Sequence, residues 1–77
     1  MGHRFPLFRK HVSGKSYYII HSNTQYKEFQ LVGKQILCYD FKIHNYFDTL
    51  HLKSLMDADY PYIIAEKQEI ESLNAML

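Results

Sequence analysis

The chain has 77 residues, a formal net charge of +1, 47% hydrophobic residues, and 16% aromatics drawn from seven Tyr and five Phe with no Trp. That is enough for one small domain and too apolar for a wholly disordered chain. No apolar run approaches the roughly 18–20 residues of a membrane-spanning helix, and the lone cysteine, Cys38, excludes an internal disulfide.

A reducing, cytoplasmic setting fits that cysteine content. The first residues carry no continuous apolar segment of signal-peptide type, and Pro6 breaks the myristoylation pattern that Gly2 would begin. The charge is unevenly placed. Residues 1–15 hold Arg4, Arg9, Lys10 and Lys15 and no acid, a local charge of +4, while residues 16–77 hold five Lys and eight Asp/Glu, a local charge of −3. The chain therefore reads as a basic N-terminal arm over residues 1–14 and a single small α+β domain over residues 15–77. Such an arm suits a nucleic acid or an acidic partner; the plainer reading, which we favour, docks it on the acidic remainder of its own chain.

The arm contains Pro6 and Gly14, and its scattered apolar residues Phe5, Leu7 and Phe8 show no helical or strand period, which suggests an extended segment that adds to a sheet edge. Residues 16–22 (SYYIIHS) are rich in β-formers and read as a first strand. Ser22-Asn23-Thr24-Gln25 is turn chemistry, residues 26–32 (YKEFQLV) a second strand, Gly33-Lys34 a two-residue hairpin loop of the type II′ form, and residues 35–43 a third strand. Together they make a β-meander over residues 16–43.

Hairpin geometry turns this reading into a register. The Gly33-Lys34 loop pairs Val32 with Gln35, Leu31 with Ile36, Gln30 with Leu37, Phe29 with Cys38, Glu28 with Tyr39, Lys27 with Asp40 and Tyr26 with Phe41. A two-residue turn at Asn23-Thr24 pairs Ser22 with Gln25, His21 with Tyr26, Ile20 with Lys27 and Tyr18 with Phe29. Opposed residues share a face. One face then gathers Tyr18, Ile20, Phe29, Leu31, Ile36 and Cys38, an aliphatic core. The other gathers Tyr17, Ile19, His21, Tyr26, Glu28, Gln30, Val32, Leu37, Tyr39, Phe41 and Ile43, a broad aromatic surface mixed with polar groups.

Residues 44–59 carry two patterns. Thr49-Leu50-His51-Leu52-Lys53 alternates as a strand would, whereas Leu52, Leu55, Met56 and Tyr60 follow helical spacing. The reading adopted is a short strand at 49–52 followed by a helical turn at 53–58. Pro61 opens a further strand over Tyr62-Ile63-Ile64-Ala65. Residues 66–77 (EKQEIESLNAML) are good helix formers, with Ile70, Leu73 and Leu77 on one stripe and Glu66 and Glu69 in the first turn, although no Ser, Thr, Asp or Asn caps them. The fold class is α+β: an antiparallel sheet of four to five strands with a C-terminal helix packed on one face.

No catalytic set emerges. His44, Asp48 and His51 would form a metal-ligand cluster only on a continuous helix, and the strand at 49–52 disperses them, so no metal and no cofactor are expected. Cys38 in mid-strand opposite Phe29 reads as a small inert apolar residue. Asp57 and Asp59 flank a turn, and Glu66, Glu69 and Glu71 read as solvated helix charges. The isolated Gly2, Gly14 and Gly33 cannot cradle a phosphate.

What remains is the aromatic face, Tyr17, Ile19, His21, Tyr26, Tyr39 and Phe41. With one helix to cover two apolar faces, self-association is the economical solution and two-fold pairing its commonest form. The expectation is a small non-enzymatic interaction module, homodimeric or bound to another protein through this face or an edge strand, with no role for a membrane. The runner-up is a single-stranded nucleic-acid binder that stacks bases on the Tyr/His face and holds phosphates with Arg4, Arg9, Lys10 and Lys15.

Overall fold

The computed structural model describes residues 4–77; Met1, Gly2 and His3, the start of the basic arm, lie outside the described residues. Five strands form one antiparallel sheet: β1 (Leu7–His11), β2 (Ser16–Ile20), β3 (Gln25–Val32), β4 (Gln35–Lys42) and β5 (Tyr62–Ile64), in the spatial order β4-β3-β2-β1-β5. Two helices, α1 (Tyr46–Met56) and α2 (Lys67–Ala75), complete the α+β fold.

The β3–β4 hairpin follows from its loop. Gly33 has φ +60°, and among the described residues Lys34 does not share a positive φ, as the type II′ form requires. The pairing runs without a break from Val32↔Gln35 to Gln25↔Lys42, with Phe29 opposite Cys38 and Lys27 opposite Asp40. Every β3–β4 pair drawn from the sequence is present.

The β2–β3 pairing differs from the sequence reading by one residue. Tyr18 faces Glu28, Tyr17 faces Phe29 and Ile20 faces Tyr26. The connection is a three-residue loop, Ser22-Asn23-Thr24, closed by the His21 and Ser22 amides donating to the Gln25 carbonyl at 3.0 and 3.2 Å. The Ser22 hydroxyl accepts from the Thr24 amide at 3.2 Å and contacts the Thr24 hydroxyl at 3.1 Å, a side-chain turn that holds the extra residue. Side chains alternate with period two, so one added loop residue moves all of β2 to opposite faces.

The two faces are accordingly recomposed. Tyr18, Ile20 and Tyr26 pack with Leu52 and Leu55 of α1, bordered by Leu7, Ile43, Met56 and Tyr62. Phe29 packs with Ala65 and with Ile70 and Leu73 of α2, bordered by Phe8, Tyr17, Ile19, Leu31 and Ile36. Each face has its own helix. The shortage that pointed to self-association, one helix for two apolar faces, is thus filled from within the chain. Phe29, Ile20 and Leu55 are fully buried, and burial of each such side chain contributes about 1.5–3 kcal/mol.

The segment read as strand 49–52 is the middle of α1, and the Leu52/Leu55/Met56 spacing is the pattern that governs. Asn45 caps the helix, its Oδ1 accepting from the Asp48 amide at 3.0 Å, and Asp48 Oδ2 accepts from the His44 amide at 3.0 Å, a cap of the kind that stabilises a helix by about 1 kcal/mol. At α2 the Glu66 amide donates to Glu69 Oε2 at 2.8 Å, so the acid three residues on satisfies the N-cap amide in the manner of a capping box.

The basic arm docks on its own chain, and its residues 7–11 are β1, which joins the sheet between β2 and β5 rather than at an edge. Arg9, 8% exposed, donates through Nε to the Leu55 carbonyl at 2.8 Å, through Nη2 to the Met56 carbonyl at 2.8 Å and through Nη1 to the Phe8 carbonyl at 2.9 Å. It satisfies the last carbonyls of α1, where a cation also suits the helix dipole. Burial lowers the Arg9 pKa, an effect opposed by nearby Asp57. Lys10 Nζ meets Glu69 Oε1 at 2.7 Å, linking β1 to α2. Among the described residues, no helix is long and apolar enough to cross a membrane.

Candidate interaction surface

The sheet ends in two edges of different build. β5 has three residues, and its Tyr62 amide is bonded to the Asp59 carbonyl at 2.7 Å. β4 has eight residues, pairs among the described residues only with β3, and contains no Pro or Gly. The helices make their main contacts with β1, β5 and β2, toward the far edge from β4.

The phase of the hydrogen bonds shows which β4 groups are free. The Ile43 amide donates to the Thr24 carbonyl at 2.9 Å, so Thr24/Ile43 is a hydrogen-bonded pair. Bonded and non-bonded pairs alternate along an antiparallel ladder. Phe41, Tyr39 and Leu37 therefore exchange bonds with Tyr26, Glu28 and Gln30, their partners in the register. Ile36, Cys38, Asp40 and Lys42 direct both amide and carbonyl away from β3. Four donors and four acceptors point outward from one regular strand.

The side chains on this edge are aromatic on one face. Tyr39 is 42% exposed and Phe41 37% exposed. The Phe41 ring stacks on Tyr26, with centroids 4.9 Å apart and planes 19° apart, and Tyr39 lies 6.3 Å from Phe41. Tyr26 is buried, 5.9 Å from the His51 ring. Burial, helped by Glu28, pushes the Tyr26 pKa up to about 12 and raises that of Tyr18 further. Beside Phe41 lies a hollow of about 400 Å³ lined by His21, Gln25, Tyr26, Asp40, Phe41, Lys42 and His44.

Of the residues assigned to the interaction face from sequence, Tyr26, Tyr39 and Phe41 are brought together, and His21 reaches them through the hollow. Tyr17 and Ile19 are not with them; the β2–β3 register places both on the opposite face, against the α2 core. Of the four cations of the arm, Arg9 and Lys10 are bonded within the fold, while Arg4 and Lys15 are exposed. His44, Asp48 and His51 do not converge. His44 precedes the cap of α1, Asp48 is engaged at that cap, and the His51 ring packs edge-on against Tyr62 at 5.7 Å. Among the described residues, no group of three His, Cys, Asp or Glu is arranged to hold a metal ion. Cys38, placed in the core from sequence, is exposed on β4.

Sequence reasoning passed over a second exposed patch. Tyr46, Phe47 and Leu50 lie on the outer side of α1, with the first two rings 6.2 Å apart. The signal was present as a helix apolar on both sides, but it could not be seen while residues 49–52 were read as a strand. No protein-family model, curated protein or solved structure matches the chain.

Proposed function

We propose that this protein is a small, non-enzymatic interaction module that works as a homodimer through the β4 edge and the Tyr39/Phe41 surface beside it. The observation that supports this reading is the row of outward amides and carbonyls on an eight-residue edge strand of unbroken register. Natural sheets blunt such edges with Pro, bulges, short strands or covering elements, because an open edge is a template for another strand. Strand addition uses these main-chain groups for affinity and the alternating side chains for specificity. A reducing compartment such as the cytoplasm agrees with an exposed, solitary Cys38.

Sedimentation velocity or light scattering at tens of micromolar tests the proposal. A dimer that dissociates on dilution is expected; a monomer throughout that range would overturn it. The nucleic-acid reading draws on Arg4, Arg9, Lys10 and Lys15, two of which are bonded inside the fold, and we do not carry it forward. Removal of residues 1–12 is not a clean probe of it, since β1 would go too. Salt-dependent oligonucleotide binding that weakens in an Arg4→Ala/Lys15→Ala variant would restore it.

A further inference from the structure

We infer that the partner strand is β4 of a second copy, antiparallel about a two-fold axis at Tyr39, so that the two sheets join into one of ten strands. This rests on the edge-pairing reading above and fixes its geometry. In a two-fold antiparallel pair the numbers of opposed residues have a constant sum, and outward residues must face outward residues. The outward set is Ile36, Cys38, Asp40 and Lys42, which follows from the Thr24–Ile43 bond and the β3–β4 register. Centring on Tyr39 opposes Ile36 to Lys42 and Cys38 to Asp40, twice each, and leaves none of the four unpaired. Moving the axis to Cys38 loses Lys42 from the set. Moving it to Asp40 sets the two Asp40 side chains directly opposite each other, which like charges disfavour.

The side chains agree with the same centre. On the aromatic face, Tyr39 meets Tyr39 and Leu37 meets Phe41, a continuous ladder of the pair types that stabilise sheets. On the other face no like charges are directly opposed, and each Asp40 keeps its own Lys27 at 4.0 Å. β4 is self-complementary in this register without any change in its backbone.

Cysteine trapping reads the register. In a Cys38→Ser background, Tyr39→Cys places two thiols at a non-hydrogen-bonded pair, where Cα atoms stand about 4.5 Å apart, within disulfide range. Mild oxidation with diamide is expected to convert most of this variant to a covalent dimer. Leu37→Cys in the same background places its two thiols about 14 Å apart along the strands and is expected to yield at least tenfold less. Mixing the Leu37→Cys and Phe41→Cys single variants is expected to yield the mixed dimer, a readout that survives if Tyr39→Cys fails to fold. A dimer by light scattering that cross-links through native Cys38, or through Leu37→Cys alone, overturns this register and leaves edge pairing standing. A monomer by light scattering overturns both.

Discussion

β4 and β5 close the same sheet and meet solvent differently. β5 is three residues long, follows Pro61, and has its Tyr62 amide bonded within the chain. Only Ile64 turns an amide outward, because the Val12–Pro61 and Phe8–Ala65 bonds leave Lys10/Ile63 as the bonded pair between them. β4 presents four outward amides with no bulge across eight pairs. The core lies toward the β5 side, with α1 on β1 and β5 and α2 on β2. The lesson is that one chain can carry both a blunted edge and an open one. Where a short strand and a proline blunt one edge, their absence at the other points to use, although β4 carries the charged Asp40 and Lys42.

Substitutions on either side of the sheet test this difference. The largest effect is expected at the anchored side: Arg9→Met removes three charge-assisted hydrogen bonds, to the Leu55, Met56 and Phe8 carbonyls, and should cost about 3 kcal/mol of stability, measured by urea unfolding; a hydrogen bond to a charged group contributes about 1.5–3 kcal/mol, and the loss is held below the sum because the Leu55 and Phe8 carbonyls keep the Ala58 and Ala65 amides at 3.2 Å. The folded fraction should still associate. Next is Asp40→Pro, which removes an outward amide but no β3 bond. Lost twice per two-fold interface, that bond should weaken dimerisation by about 30-fold on sedimentation, with the circular dichroism spectrum of the fold retained.

A smaller effect concerns the buried tyrosines. Tyr26 has its pKa raised to about 12, against about 10 in the unfolded chain. Its contribution is fully present below pH 10 and is lost as pH rises from 10 to 12, because the unfolded state releases the proton first. Tyr26→Phe should make the stability loss between pH 10 and 12 shallower by up to about 1.4 kcal/mol per pH unit, read from urea midpoints across that range. The smallest effect is expected at the blunt edge. Ile64→Pro, the counterpart of Asp40→Pro, should leave the dimer constant unchanged; if it dissociates the dimer as well, the distinction between the edges fails.

How much of this was legible depended on whether the information was local. Gly33-Lys34 carries its own geometry, and with it came every β3–β4 pair. Ser22-Asn23-Thr24 has no glycine to fix its length, so a two-residue turn competed with the three-residue loop that the Ser22 hydroxyl closes, and the whole of β2 changed sides. Tyr39 and Phe41 were assigned correctly to one surface because the Gly33 hairpin placed them; Tyr17 and Ile19 were not, because the looser turn did. At residues 46–56 two periods overlapped, and the contacts of Leu52 and Leu55 with Tyr18 and Ile20 decided between them. Arg9 could not be read as an anchor, since its partners Leu55 and Met56 lie 46 and 47 residues away. The β5 strand and the Ile70/Leu73 stripe of α2 were legible because Pro61 and helical spacing mark them locally.

Edge pairing requires that the outward groups of β4 be bonded in the working protein. Amide hydrogen exchange by NMR reads those groups one by one, because protected and unprotected positions alternate within one strand. In an isolated copy the Leu37, Tyr39 and Phe41 amides are protected by β3, and those of Ile36, Cys38, Asp40 and Lys42 exchange freely. The expected result is that the second set becomes protected as protein concentration rises through the dimer range, while Ile64 on β5 does not. Fast exchange of Ile36, Cys38, Asp40 and Lys42 at every concentration would contradict it.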